Sequence, residues 1–122
     1  MHLDETDTRF YIAPSTIPGA GNGVFTKIPL AKGDRLEVIG VLVRVDSIAD
    51  ICTRYTDRYK FRMGDKLLIP LGYGGMANHS DTPNMEKIID GDKVYLRALR
   101  PIESGEEILY IYGATAQAQF RK

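Results

Sequence analysis

Residues 74–84 read Gly-Gly-Met-Ala-Asn-His-Ser-Asp-Thr-Pro-Asn, and residues 105–113 read Gly-Glu-Glu-Ile-Leu-Tyr-Ile-Tyr-Gly. In the first stretch two glycines let the backbone pass close to another object, Asn78 and His79 set an amide beside an imidazole, and Pro83 stops any helix. Such a loop can hold a small polar ligand. Asn78, Ser80 and Asp81 are equally ordinary turn formers that satisfy their own backbone. In the second stretch a turn at Glu103, Ser104 and Gly105 leads to two carboxylates and an apolar run ending at Tyr112, the pattern of a core strand. Neither stretch alone decides anything. Their order is informative: Asn-His-Ser-x-x-Pro-Asn, a hairpin of roughly twenty residues, then Gly-Glu-Glu-(Ile/Leu)-x-x-x-Tyr.

The chain has 122 residues, enough for one domain with a single core. Sixteen basic residues balance sixteen acidic ones, so no overall field favours nucleic acid or an anionic membrane, and partners are sought in local patches. Cys52 is the single cysteine, which excludes an intramolecular disulfide and argues against a cysteine-built zinc site; it reads as a small core hydrophobe. The N-terminal residues are acidic and polar where a signal peptide is basic and then apolar, and no apolar run reaches spanning length. A soluble, intracellular protein without a membrane partner is the expectation.

Working outward, residues 1–8 read as a polar tail and residues 9–13 as a first strand, with Pro14, Ser15, Thr16 and Pro18 breaking regular structure. A glycine loop, Gly-Ala-Gly-Asn-Gly at 19–23, then runs into a strand. It suits either a hairpin turn or backbone contact with a ligand, and it is not a dinucleotide fingerprint because no helix follows. Residues 35–45 predict two short strands meeting near Gly40. Asp46 or Ser47 caps an expected helix with apolar positions Ile48, Ile51, Cys52, Tyr55 and Tyr59. Residues 66–71 predict another strand, and residues 85–89 and 93–98 a hairpin through Asp90-Gly91-Asp92, with Val94, Leu96 and Ala98 inward. The fold class is mainly β, with one short helical insert and little parallel sheet.

The paired late motifs, and with them the glycine loop, resemble the SET-domain protein-lysine methyltransferases over about residues 10–112. The resemblance implies a SET domain over residues 9–113: small β-clip-like sheets with a C-terminal pseudoknot, in which the C-terminal segment crosses the loop bearing Asn78. Residues 114–122 are then a short tail. It implies S-adenosylmethionine as cofactor, held by Ala20, Gly21, Asn22, Asn78 and the backbone of His79, with no metal. Tyr112 closes the motif as the catalytic tyrosine and touches the donor methyl, with Tyr110 a second candidate. Tyr59, at the end of the insert, matches a tyrosine of the lysine channel, and Phe120 covers the adenine or that channel. No Cys-x-Cys-x4-Cys follows Tyr112, so the likeness is to the minimal, free-standing SET domains of viruses and bacteria.

The chemistry agrees with that set. A lysine amine with a pKa of about 10.4 must lose its proton before it attacks a methyl carbon, and an apolar, tyrosine-lined channel beside a positive sulfur disfavours the ammonium. Tyr112 then orients the amine and need not act as a base. The implied partner is a histone or another basic protein with an accessible lysine, and a homodimer is one way for so short a chain to complete its groove. A catalytically silent SET-like binding module is the alternative. Nucleic-acid binding through the basic and aromatic residues 54–66 is the weakest reading, given the neutral overall charge.

Overall fold

The computed structural model describes residues 6–54 and 60–111. Val94, Leu96 and Ala98 point inward from one strand and are almost wholly buried, as their alternation with Tyr95 and Arg97 predicts. That strand, β9 (Lys93–Ala98), is the centre of a three-stranded sheet. On one side it pairs with β8 (Met85–Asp90) through a two-residue turn in which Gly91 takes φ 61°, and on the other with β3 (Arg35–Glu37). Across the outer face Arg97 pairs with Glu86 directly opposite it.

A second sheet has the order β4 (Gly40–Arg44), β6 (Lys66–Pro70), β5 (Phe61–Met63), all antiparallel. Gly40 opens β4 where a Cβ would collide with the Ile69 carbonyl, so the expected break between the two strands of residues 35–45 is also a point of close backbone approach. A hairpin of β1 (Phe10–Pro14) and β2 (Asn22–Thr26) encloses the glycine loop. The remaining pair is parallel: β7 (Asn78–His79) with β10 (Leu109–Tyr110).

This parallel pair is where the chain crosses itself. Residues 106–108 hydrogen-bond to β2, Thr26 N to Glu106 O at 3.1 Å and Ile108 N to Val24 O at 2.8 Å. Immediately beyond, residues 109–110 receive Asn84 N on the Leu109 carbonyl and Ser80 N on the Tyr110 carbonyl, both at 3.1 Å. The Asn84 side chain is buried and closes the clasp, donating to Glu107 O and accepting from Leu109 N, both at 2.8 Å. The C-terminal segment is thus held between β2 and the 78–84 loop. Phe10, Val24, Leu96, Ile102 and Ile108 form the core around it.

The helical insert differs from expectation. α1 (Ile48–Cys52) has five residues and none is buried: Ile48 is 81% exposed, and Cys52 is exposed rather than a core hydrophobe. So short a helix cannot carry an apolar face over several turns, and polar groups hold it instead. Ser47 Oγ accepts from Asp50 N at 3.2 Å, and the Asp50 carboxylate accepts from Asp46 N at 2.8 Å and from the buried Lys60 Nζ at 2.7 Å. Tyr55 and Tyr59 lie outside the described residues.

A second helix, α2 (Gly72–Met76), replaces the loop expected before Asn78. Its glycines do let the backbone pass close to another object, which is the protein itself. A Cβ on Gly74 would lie 2.7 Å from Val38 Cγ2, and one on Gly75 3.0 Å from Pro70 Cβ. Among the described residues no helix is long and apolar enough to cross a membrane.

Candidate active site

Successive residues of an extended strand face opposite ways, and this separates the two carboxylates of Gly-Glu-Glu. Glu106 turns outward to Arg100, 3.0 Å away, and the hydrogen bond from that guanidinium holds its carboxyl below the usual glutamate value. Glu107 turns inward and is 5% exposed.

The Glu107 carboxylate collects neutral donors from two directions. Oε1 accepts from Thr16 Oγ1 at 2.7 Å, Thr16 N at 2.9 Å and Ser15 Oγ at 3.0 Å. Oε2 accepts from Ser15 Oγ at 2.8 Å and Asn78 Nδ2 at 3.0 Å. A side chain on Gly23 would collide with this carboxylate, so glycine is what admits it against β2. Burial pushes the Glu107 carboxyl up, but the hydrogen bonds from Thr16, Asn78 and Ser15 outweigh it and leave the group below the ordinary glutamate value. The negative charge is therefore kept, and among the described residues no cation pairs with it.

Of the residues expected to form a donor site, the structure brings the glycine loop and Asn78 together. Asn78 Nδ2 also donates to the Asn22 carbonyl at 3.0 Å, bridging β7 to the start of β2. Ala20, Gly21 and Asn22 lie at the surface end of the β1–β2 hairpin, where Gly21 takes φ 72° and its carbonyl accepts from Ser15 N at 2.8 Å. His79 is the next residue of β7, and its Nε2 donates to Asp81 at 3.0 Å. Among the described residues no group of His, Cys, Asp or Glu could hold a metal ion.

The parallel register sets Leu109 opposite Asn78 and Tyr110 opposite His79. Tyr110 is buried and its ring stacks on Phe61 at the start of β5, with centroids 5.7 Å apart and planes 21° from parallel. An aromatic pair thus stands beside the Asn78–His79 strand. Tyr59, Tyr112 and Phe120 fall outside the described residues. Glu107, Ser15 and Thr16 are the participants that the sequence reading missed. Strand alternation after Gly105 could have singled out Glu107, whereas nothing in the sequence separates Ser15 and Thr16 from turn residues.

The residues present suit S-adenosylmethionine, which carries a positive sulfur. They offer exposed loop backbone and, close by, a buried anion; among the described residues the Ala20 carbonyl accepts no hydrogen bond and no cation pairs with that anion.

Comparison with known proteins agrees with this geometry. The SET domain model matches residues 21–113. A candidate histone methyltransferase of Plasmodium falciparum is 30% identical, with a TM-score of 0.71 over 88% of this chain and 96% of its own. A humanized mutant of the Chaetomium thermophilum Polycomb Repressive Complex 2, bound to the inhibitor GSK126, superposes with a TM-score of 0.74 at 18% identity. That match covers 85% of this chain and 15% of the other, and shows the fold alone. No curated protein sequence matches significantly. By its motifs, its crossing of β10 beside β7 and its match over residues 21–113, the chain belongs to the SET-domain family.

Proposed function

We propose that the protein is a protein-lysine N-methyltransferase that uses S-adenosylmethionine and acts inside the cell on a histone or another basic protein. The observation that carries this reading is the bridge made by Asn78, which ties the glycine loop at Asn22 to the strand paired with Leu109 and Tyr110. One short strand thereby joins a donor side to an acceptor side.

On the donor side, Ala20, Gly21 and Asn22 offer backbone groups, with Asn78 and the His79 backbone completing the cradle. S-adenosylmethionine supplies a methyl group on a positively charged sulfur, and the Glu107 anion favours a cation in this region. On the acceptor side, the stacked rings of Phe61 and Tyr110 keep water away from one wall. Tyr112, two residues beyond Tyr110 in sequence, orients the neutral lysine amine through its hydroxyl, Tyr59 lines the lysine channel, and Phe120 covers the adenine or that channel. Alignment of amine with methyl, rather than proton abstraction by a side chain, is the main contribution of these residues.

The test is incubation with S-adenosylmethionine and a mixture of histones and other basic proteins, read by mass spectrometry of lysine residues. Methylated lysine is expected with the wild type, reduced about a hundredfold in Tyr112→Phe. Equal methylation by both proteins would remove Tyr112 from its role. Methylation by neither would contradict the activity on these substrates.

A further inference from the structure

Resting on the methyltransferase reading, we infer that Ser15 and Thr16, which precede the span matched by the family model, are positioning residues for the donor: seated on Glu107, they hold the loop of residues 17–22 in its receiving shape.

Apart from the Asn78 bridge to the Asn22 carbonyl and an internal hydrogen bond from Ala20 N to Ile17 O at 3.2 Å, the shape of this loop is set at its base. Pro18, Gly19, Gly21 and Asn22 are exposed, and Gly19 and Gly21 take φ 77° and 72°, a region that glycine enters without strain but also leaves readily. Its entry and exit meet at Ser15, whose N donates to the Gly21 carbonyl at 2.8 Å and whose Oγ accepts from Ile17 N at 3.0 Å. Ser15 and Thr16 are in turn held by the Glu107 carboxylate through both hydroxyls and the Thr16 N–H. Hydrogen bonds to a buried carboxylate are stronger than neutral ones, so these fix the hairpin end before any ligand arrives. A loop already ordered gives up less conformational freedom on binding.

The latch is one-sided. Its hydroxyls touch the donor loop and Glu107, whereas β10 is clasped separately by Asn84 through Leu109 N and the Glu107 carbonyl. Loss of the hydroxyls therefore loosens the donor side and leaves the acceptor side in place.

The test is the double variant Ser15→Ala/Thr16→Val, titrated with S-adenosylmethionine and S-adenosylhomocysteine by calorimetry, with amide hydrogen exchange followed in parallel. Donor affinity is expected to fall about tenfold. Exchange should quicken over residues 17–22 and stay unchanged at Leu109, and Thr16→Ser, which keeps the hydroxyl, should bind like the wild type. Equal affinity in wild type and double variant overturns the assignment alone. Faster exchange throughout the chain, with Thr16→Ser no better than Thr16→Val, reduces the pair to a general structural role and also overturns it. A folded wild type that binds neither ligand overturns the methyltransferase reading itself.

Discussion

Asn78 Nδ2 lies 3.0 Å from Glu107 Oε2 and 3.0 Å from the Asn22 carbonyl, so a single amide group joins the strand crossing to the glycine loop. Both of its hydrogens are committed inside the protein, and only an amide or a cation could donate to both acceptors at once.

Asn78→Asp keeps the shape and removes the donors, setting a second carboxylate against Glu107. Two facing carboxylates raise the pKa of one of them. The variant should melt below the wild type at neutral pH and recover part of the difference on acidification as the pair takes up a proton. Thermal melts from pH 7 down to pH 5 check this; a gap that does not narrow would contradict it.

Gly23→Ala places a methyl group on the Glu107 carboxylate. Either β2 shifts or the carboxylate leaves its donors, and overpacking of this kind costs about 1–3 kcal/mol. Urea denaturation measures the loss, and pairing with Glu107→Ala, which opens the space, should reduce the cost of the alanine.

For wild-type Glu107 the sign of the pH effect follows from its lowered pKa. Its contribution to stability is fully present above the ordinary glutamate value of 4.5 and is lost as pH falls through the lower folded value. Asp7, Asp50 and Glu106 are lowered too and act in the same acidic window, so the diagnostic is a difference. Glu107→Gln should show a shallower fall in stability below pH 4.5 than the wild type. Parallel curves would mean that the carboxylate is not held as described.

The sequence disclosed most of what depends on local pattern. Alternation placed Val94, Leu96 and Ala98 inward, and Asp90-Gly91 marked the hairpin. It was silent wherever the cause is distant in the chain. Nothing near Ser15 or Thr16 announces a carboxylate at Glu107, and the pairing of Asn78 with Leu109 follows from a crossing that no periodicity encodes. Ile48, Ile51 and Cys52 misled because helical spacing gives a face without saying whether anything covers it. The Gly74-Gly75 pair did signal close approach, but toward Val38 and Pro70 rather than a ligand.

Asn84→Ala tests the clasp itself. It leaves the Glu107 carbonyl and the Leu109 N–H without their partner, at about 1–3 kcal/mol for each group left buried and unpaired. Hydrogen exchange at Leu109 should rise more than exchange at Val94 or Leu96 in the central sheet. Uniform acceleration would mean that the clasp is not a local fastening.

The most direct measurement is calorimetric titration of the folded wild-type protein with S-adenosylmethionine, beside Asn78→Ala. Saturable binding is expected, at least about tenfold weaker in the variant because the bridge to Asn22 is gone. A folded wild type that takes up no S-adenosylmethionine would contradict the account.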